Sequence, residues 1–256
     1  MNKKFNFQNP NLDGVRIEFN FYNEKATLLA AIQKQWVRFL KVNRQKDAPV
    51  CVALSGGRIA PELFDSLAAI TLECILKKQI DQRILKNIHF FWADERCVPQ
   101  DSSESNYNIA NIHLFQPLKI KQNQIHRIKG ELEPAPAAQL AINDWLNIAE
   151  KKRNPVFDLI MLGMGEDGHV ASLFPEEPEE VVLSDIVYRP VVASKPPPHR
   201  ITLGYLPIIN AKRVWVVITG NNKQNALYNS LPPQFSTPLG RVLKLRNSTN
   251  LFYCAD

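Results

Sequence analysis

Glycine is scarce in this chain, ten in 256 residues, and long hydrophobic stretches are absent. No apolar run exceeds six residues, so no segment is long enough to cross a bilayer as a helix. The start, Met1-Asn-Lys-Lys-Phe5, is not followed by an apolar core, which argues against a secretory signal. C-x-x-C pairs are missing. The four cysteines, Cys51, Cys74, Cys97 and Cys254, are scattered and have no histidine at metal-ligand spacing. That pattern suits a reducing cytoplasm better than a disulfide framework and argues against structural zinc. There is no internal repeat and no linker rich in Gly, Ser or charge. One domain over residues 1–256 is the economical reading, with residues 1–14 as a loose N-terminal segment. The net charge is +6, but no aromatic-interleaved basic block carries it. The densest groups, Lys77-Lys78 and Lys151-Lys152-Arg153, fall at expected helix ends, where cations complement the helix dipole. Neither a nucleic acid nor a membrane surface is the expected partner.

Against that scarcity, Gly163, Gly165 and Gly168 fall within six residues of each other. They follow Leu159-Ile-Met-Leu162, an apolar run that reads as a strand buried on both faces of a parallel sheet. Where the glycines break this strand, the chain presents Asp167 and His169. Open α/β sheets bind ligands beyond the carboxyl ends of their strands. A histidine placed there can take a proton from water near neutral pH.

Strand-like and helix-like patterns alternate along the chain. Expected strands are Val15 to Phe21, Val50 to Leu54, Ile88 to Trp92, Ile125 to Ile128, Leu159 to Leu162, Ile186 to Ala193, Ile201 to Leu203, Val214 to Thr219 and Leu251 to Cys254. Expected helices carry Leu28 to Leu40, Pro61 to Gln79, Tyr107 to Phe115, Pro134 to Glu150 and Asn222 to Asn229. Such alternation gives βαβ units: an α/β fold, Rossmann-like, with a mainly parallel sheet flanked by helices on both faces.

Three further groups follow strands. Ser55-Gly56-Gly57-Arg58 joins a strand to a helix, where backbone N–H groups and the helix N-terminus suit phosphate; a plain tight turn is the other reading. It lacks the spacing and Lys-Ser/Thr pair of a Walker loop, and Ala53 stands where a nucleophile elbow needs glycine. Asp94-Glu95-Arg96 ends the next strand and could contact sugar hydroxyls or developing charge, or form a surface ion cluster. Arg200, after Lys195-Pro-Pro-Pro-His, and Lys223, after Gly220, could together neutralise a phosphate dianion.

Taken in order, these segments resemble the 6-phosphogluconolactonase family, relatives of the glucosamine-6-phosphate deaminases, over about Leu54 to Lys223. The resemblance rests on Ser55-Gly-Gly, on Phe91-Trp-Ala-Asp94-Glu-Arg96 with Val98-Pro99 and Ser105-Asn-Tyr107, and above all on Gly163 through Pro175. Lys195-Pro-Pro, Arg200-Ile-Thr and Gly220 to Lys223 complete it. It implies hydrolysis of 6-phosphoglucono-δ-lactone in the oxidative pentose phosphate pathway by a cytoplasmic monomer that needs neither metal nor cofactor. By the same resemblance His169 is the general base, Asp167 orients it and Arg96 stabilises substrate charge. Ser55, Gly56, Gly57, Arg200 and Lys223 hold the phosphate, and Asp94 completes the substrate site. The family often has Ser-Thr-Pro after Ser-Gly-Gly; here Arg58-Ile59-Ala60 stands instead, so Arg58 either replaces a lost hydroxyl donor or faces solvent. Two other readings compete. The deaminase places a proton-transferring glutamate where this chain has Phe174, and a tyrosine where it has Arg96. A non-catalytic sugar-phosphate sensor would keep the phosphate groups but has no need of His169 and Asp167.

Overall fold

The computed structural model describes residues 3–8, 16–44 and 48–255. Its ten strands are β1 (Lys3–Gln8), β2 (Arg16–Tyr22), β3 (Val50–Leu54), β4 (Ile88–Trp92), β5 (Asp94–Arg96), β6 (Leu159–Leu162), β7 (Tyr188–Val192), β8 (His199–Leu203), β9 (Val214–Thr219) and β10 (Ser248–Cys254). The helices are α1 (Lys25–Asn43), α2 (Ala60–Leu76), α3 (Asn106–Ala110), α4 (Gln116–Leu118), α5 (Pro134–Ala149), α6 (Glu179–Leu183), α7 (Tyr205–Asn210), α8 (Gln224–Ser230) and α9 (Pro238–Leu245). A single turn of π-helix (Asn111–Phe115) joins α3 to α4.

Seven strands form the main sheet in the order β1-β2-β10-β9-β6-β3-β4. All neighbours from β2 to β4 run parallel, and β1 is added antiparallel at the edge. The apolar runs behave as their composition dictates, since every residue of β3 and of β6 is buried. In β4, successive side chains point to opposite faces. Phe90 meets Phe115 of the π-turn, with ring centroids 5.0 Å apart, while Phe91 meets Trp145 of α5 at 5.4 Å. Helices therefore cover both faces, as the alternating pattern requires.

Three expectations change. The segments Ile186 to Ala193 and Ile201 to Leu203 are strands, but they leave the main sheet. With Asp94–Arg96 they form an antiparallel sheet ordered β5-β8-β7. Ile125 to Ile128 reaches only one isolated bridge, Phe90 to Ile125, because the chain is by then leaving a short 3-10 turn at the sheet edge. Within the segment read as loose, Lys3–Gln8 pairs with β2 from Lys3↔Phe21 to Gln8↔Arg16; residues 1, 2 and 9–14 lie outside the described residues.

At the end of the strands away from the glycine loops sits a buried charge cluster. Asp158, 1% exposed, accepts from Lys152 Nζ at 2.5 Å, Lys212 Nζ at 2.8 Å and the Cys51 backbone N–H at 3.0 Å. Lys152, read as one of the cations at a helix end, is 8% exposed and committed to this carboxylate.

Candidate active site

Four strands of the main sheet deliver their carboxyl ends to one place. β3 ends in Ser55-Gly56-Gly57-Arg58, with Gly57 at φ +103° turning the chain into α2. β4 passes through Ala93 into β5. β6 ends in the loop from Gly163 to His169, and β9 runs through Gly220, also at φ +103°, to Lys223. The β7–β8 connection brings in Lys195, and the start of β8 brings in Arg200. Together they line a cleft of about 190 Å³, in which Ser55, Gly56, Gly57, Arg58, Asp94, Arg96, His169, Arg200 and Lys223 all take part. Every expected site residue except Asp167 reaches this surface. Asp167 stands behind His169.

The histidine is fixed from three sides. Its Nδ1 lies 2.5 Å from Asp167 Oδ1, and its backbone N–H donates to the same oxygen at 3.1 Å. The side-chain hydrogen bond from His169 holds the Asp167 carboxyl far below the usual range, so it is ionised and can only accept. Nδ1 therefore carries a proton, and in the neutral imidazole it is Nε2 that holds the lone pair. Phe174 tilts against the imidazole at 5.1 Å. Gly165 lies beneath it: a Cβ there would come within 2.1 Å of His169 Cε1 and Nδ1, so only glycine leaves room for the ring.

The opposite wall concentrates positive charge. In the β5–β8 ladder Arg96 faces Arg200 directly, an arrangement of like charges that costs stability unless an anion answers it. Arg200 is 6% exposed, and burial, with Arg96 beside it, pulls its guanidinium down from the ordinary value. It donates to the carbonyls of Pro197 and Lys195, and its guanidinium lies 5.9 Å from the centre of the Phe174 ring. Arg96 Nη1 donates to the Glu104 carbonyl at 2.7 Å, while its buried Nε has no partner among the described residues. Lys223 is likewise pulled down by burial and by Arg58. Arg58 is largely exposed and pairs with Glu166 at 3.4 Å. The backbone N–H groups of Gly56, Gly57 and Arg58 take no backbone acceptor among the described residues.

Several residues here belong to the motifs quoted above, where the sequence assigns them no individual role. Buried Glu95 accepts from the backbone N–H groups of Arg96, Asn106 and Tyr107, each at 2.8 Å, and from Ser105 Oγ at 3.1 Å. Burial pushes its carboxyl up to about 7 against those hydrogen bonds. It thereby seats the start of α3 and places Asn106 in the cleft wall. Lys195 and Glu166 also line the cleft. Ser55, expected at the phosphate, donates its hydroxyl proton to Asp94 Oδ1 at 3.0 Å.

Comparisons with known proteins agree on one family and one fold. Residues 23–251 match the family model described as glucosamine-6-phosphate isomerases/6-phosphogluconolactonase. The chain is 36% identical to the 6-phosphogluconolactonase of Treponema pallidum over 192 residues, 73% of this chain and 75% of the relative. It is 35% identical to the probable 6-phosphogluconolactonase 1 of Arabidopsis thaliana, covering 80% of this chain and 78% of that one. Among solved structures, the 6-phosphogluconolactonase of Thermotoga maritima superposes with a TM-score of 0.76 at 26% identity, covering 93% of this chain and 99% of its own.

Proposed function

The chain belongs to the glucosamine-6-phosphate isomerase/6-phosphogluconolactonase family, and on that footing we propose that it opens 6-phosphoglucono-δ-lactone to 6-phosphogluconate with His169 as general base. One observation carries the mechanism: a histidine whose Nδ1 is pinned to an ionised aspartate and whose ring borders a cleft walled by two adjacent arginines. Nε2 takes a proton from water as the oxygen attacks the lactone carbonyl carbon. Negative charge gathers on the carbonyl oxygen, and Arg96 stabilises it. When the intermediate collapses, the bond from this carbon to the ring oxygen breaks. The imidazolium returns its proton to that oxygen, so one water is consumed and the enzyme is unchanged.

The phosphate is held at the other end by Arg58, Arg200 and Lys223 and by the backbone N–H groups of Gly56 and Gly57. Such remote binding energy positions the ring for attack. Phe174 occupies the place where the related deaminase has its glutamate. It packs between His169 and Arg200 and transfers no proton, which favours the hydrolase. The reading takes residues 1–256 as one domain working as a monomer; the shared buried core of the described strands and helices supports one domain. No helix among the described residues is long and apolar enough to cross a membrane, and the four free cysteines suit a reducing cytoplasm.

Freshly generated lactone tests this directly. Hydrolysis above the spontaneous rate is expected; a folded protein that adds nothing to that rate ends the proposal. A second expectation concerns the floor beneath the base. Gly165→Ala should lower kcat by about 10²-fold or more, since its Cβ claims the space of the imidazole. Steady-state kinetics beside a thermal melt would separate that displacement from simple unfolding.

A further inference from the structure

The polar wall made by Ser55, Asp94 and Asn106 has its donors all turned one way. A serine hydroxyl owns a single proton, and Ser55 gives it to Asp94 Oδ1. Buried Ser172 gives its proton to Asp94 Oδ2 at 2.8 Å. The amide protons of Asn106 go to the Asp94 carbonyl at 2.8 Å and to Oδ1 at 3.4 Å. Its carbonyl end occupies the space that a Cβ on Gly56 would fill, so it too is held in place. One carboxylate, 3% exposed, thus collects three side-chain donors. What Ser55 and Asp94 turn toward the cleft are lone pairs.

Arg58, Lys195, Arg200 and Lys223, the cations that share the cleft lining with Arg96, offer only donors. A phosphate dianion has only acceptors to give, so it matches the cations and gains nothing from the Ser55–Asp94 wall. A sugar hydroxyl has a proton to give, and this wall is where it finds acceptors. We propose that Ser55 and Asp94 form the hydroxyl-reading face of the site, accepting protons from the sugar, and that Ser55 binds the sugar and not the phosphate. The proposal rests on the sugar-phosphate reading above. It names what distinguishes a polyhydroxylated phosphate from any other phosphorylated ligand.

Calorimetric titration of wild type and Ser55→Ala with 6-phosphogluconate and with inorganic phosphate tests it without any need for turnover. Loss of one accepted hydrogen bond should weaken 6-phosphogluconate by about tenfold and leave inorganic phosphate within about twofold. Equal weakening of both ligands would assign Ser55 to the phosphate and overturn the proposal, and so would equal retention of both. Wild type that binds neither ligand would overturn it as well. A protein that discriminates in this way yet fails to hydrolyse lactone would refute the catalytic reading alone. For active protein, Ser55→Ala should raise KM more than it lowers kcat, which a merely structural serine would not do.

Discussion

Replacing His169 by alanine is expected to lower kcat by about 10³-fold, within the range general bases contribute, while the binding of inorganic phosphate persists. The imidazole holds the basic nitrogen of the site, and none of the cations around it can take a proton from water at neutral pH. The aspartate behind it offers a sharper test. Asp167→Asn preserves shape but puts an N–H where an ionised acceptor stood 2.5 Å from Nδ1. That amide can donate to Nδ1 and hold the proton on Nε2, the tautomer that cannot act as base. A kcat loss of about 10²-fold or more is expected in Asp167→Asn, with little change in affinity for 6-phosphogluconate. Near-normal turnover in His169→Ala would remove the histidine from the mechanism.

The second large effect lies at the other end of the strands and concerns stability. Asp158→Ala should destabilise the fold by about 3–5 kcal/mol, because it leaves the buried Lys152 ammonium without its counter-charge. For a chain of this size that corresponds to a fall in Tm of about 6–20 °C. The pH dependence follows from the same geometry. Burial alone would raise the Asp158 carboxyl, but hydrogen bonds from Lys152, Lys212 and the Cys51 N–H outweigh it and bring it down to about 2 from an ordinary 3.8. A carboxyl depressed in the folded state contributes stability above its unfolded value and loses it as pH falls toward the folded one. Wild type should therefore shed about 2 kcal/mol from this group between pH 4 and 2. Denaturant melts across that window should show the loss in wild type and a shallower one in Asp158→Ala.

Much of the main sheet was legible because its strands are buried on both faces. Val50-Cys-Val-Ala-Leu54 and Leu159-Ile-Met-Leu162 can hardly be anything else between turn signals. The glycine loop was legible for the opposite reason: a chain poor in glycine spends three beside one histidine. The small antiparallel sheet was not legible. Asp94-Glu-Arg96 is charged throughout and becomes a strand only because β8 lies alongside it. The helix Pro238–Leu245 carries a start signal of its own. Thr237 caps it by accepting from the Gly240 N–H at 3.0 Å, and buried Leu239, Val242 and Leu243 follow at helical spacing. The facing of Arg96 and Arg200 depends on register between segments about a hundred residues apart. The pairing of Lys152 with Asp158 likewise needs the turn after α5, which no periodicity specifies.

The strand order has a further consequence, for how the protein is made. Along the sheet β2 lies beside β10, so the strand at Arg16–Tyr22 waits for Ser248–Cys254 as its parallel neighbour. During translation β3, β4, β6 and β9 can assemble in turn as they emerge from the ribosome. The first strands cannot dock until the last has been synthesised, a delay on the order of tens of seconds at ordinary elongation rates. Over that interval the open edge passes from β6 to β9, and the edge of β9 stays open until β10 is made. An unpaired strand edge of this kind is a template for pairing with other chains until β10 covers it.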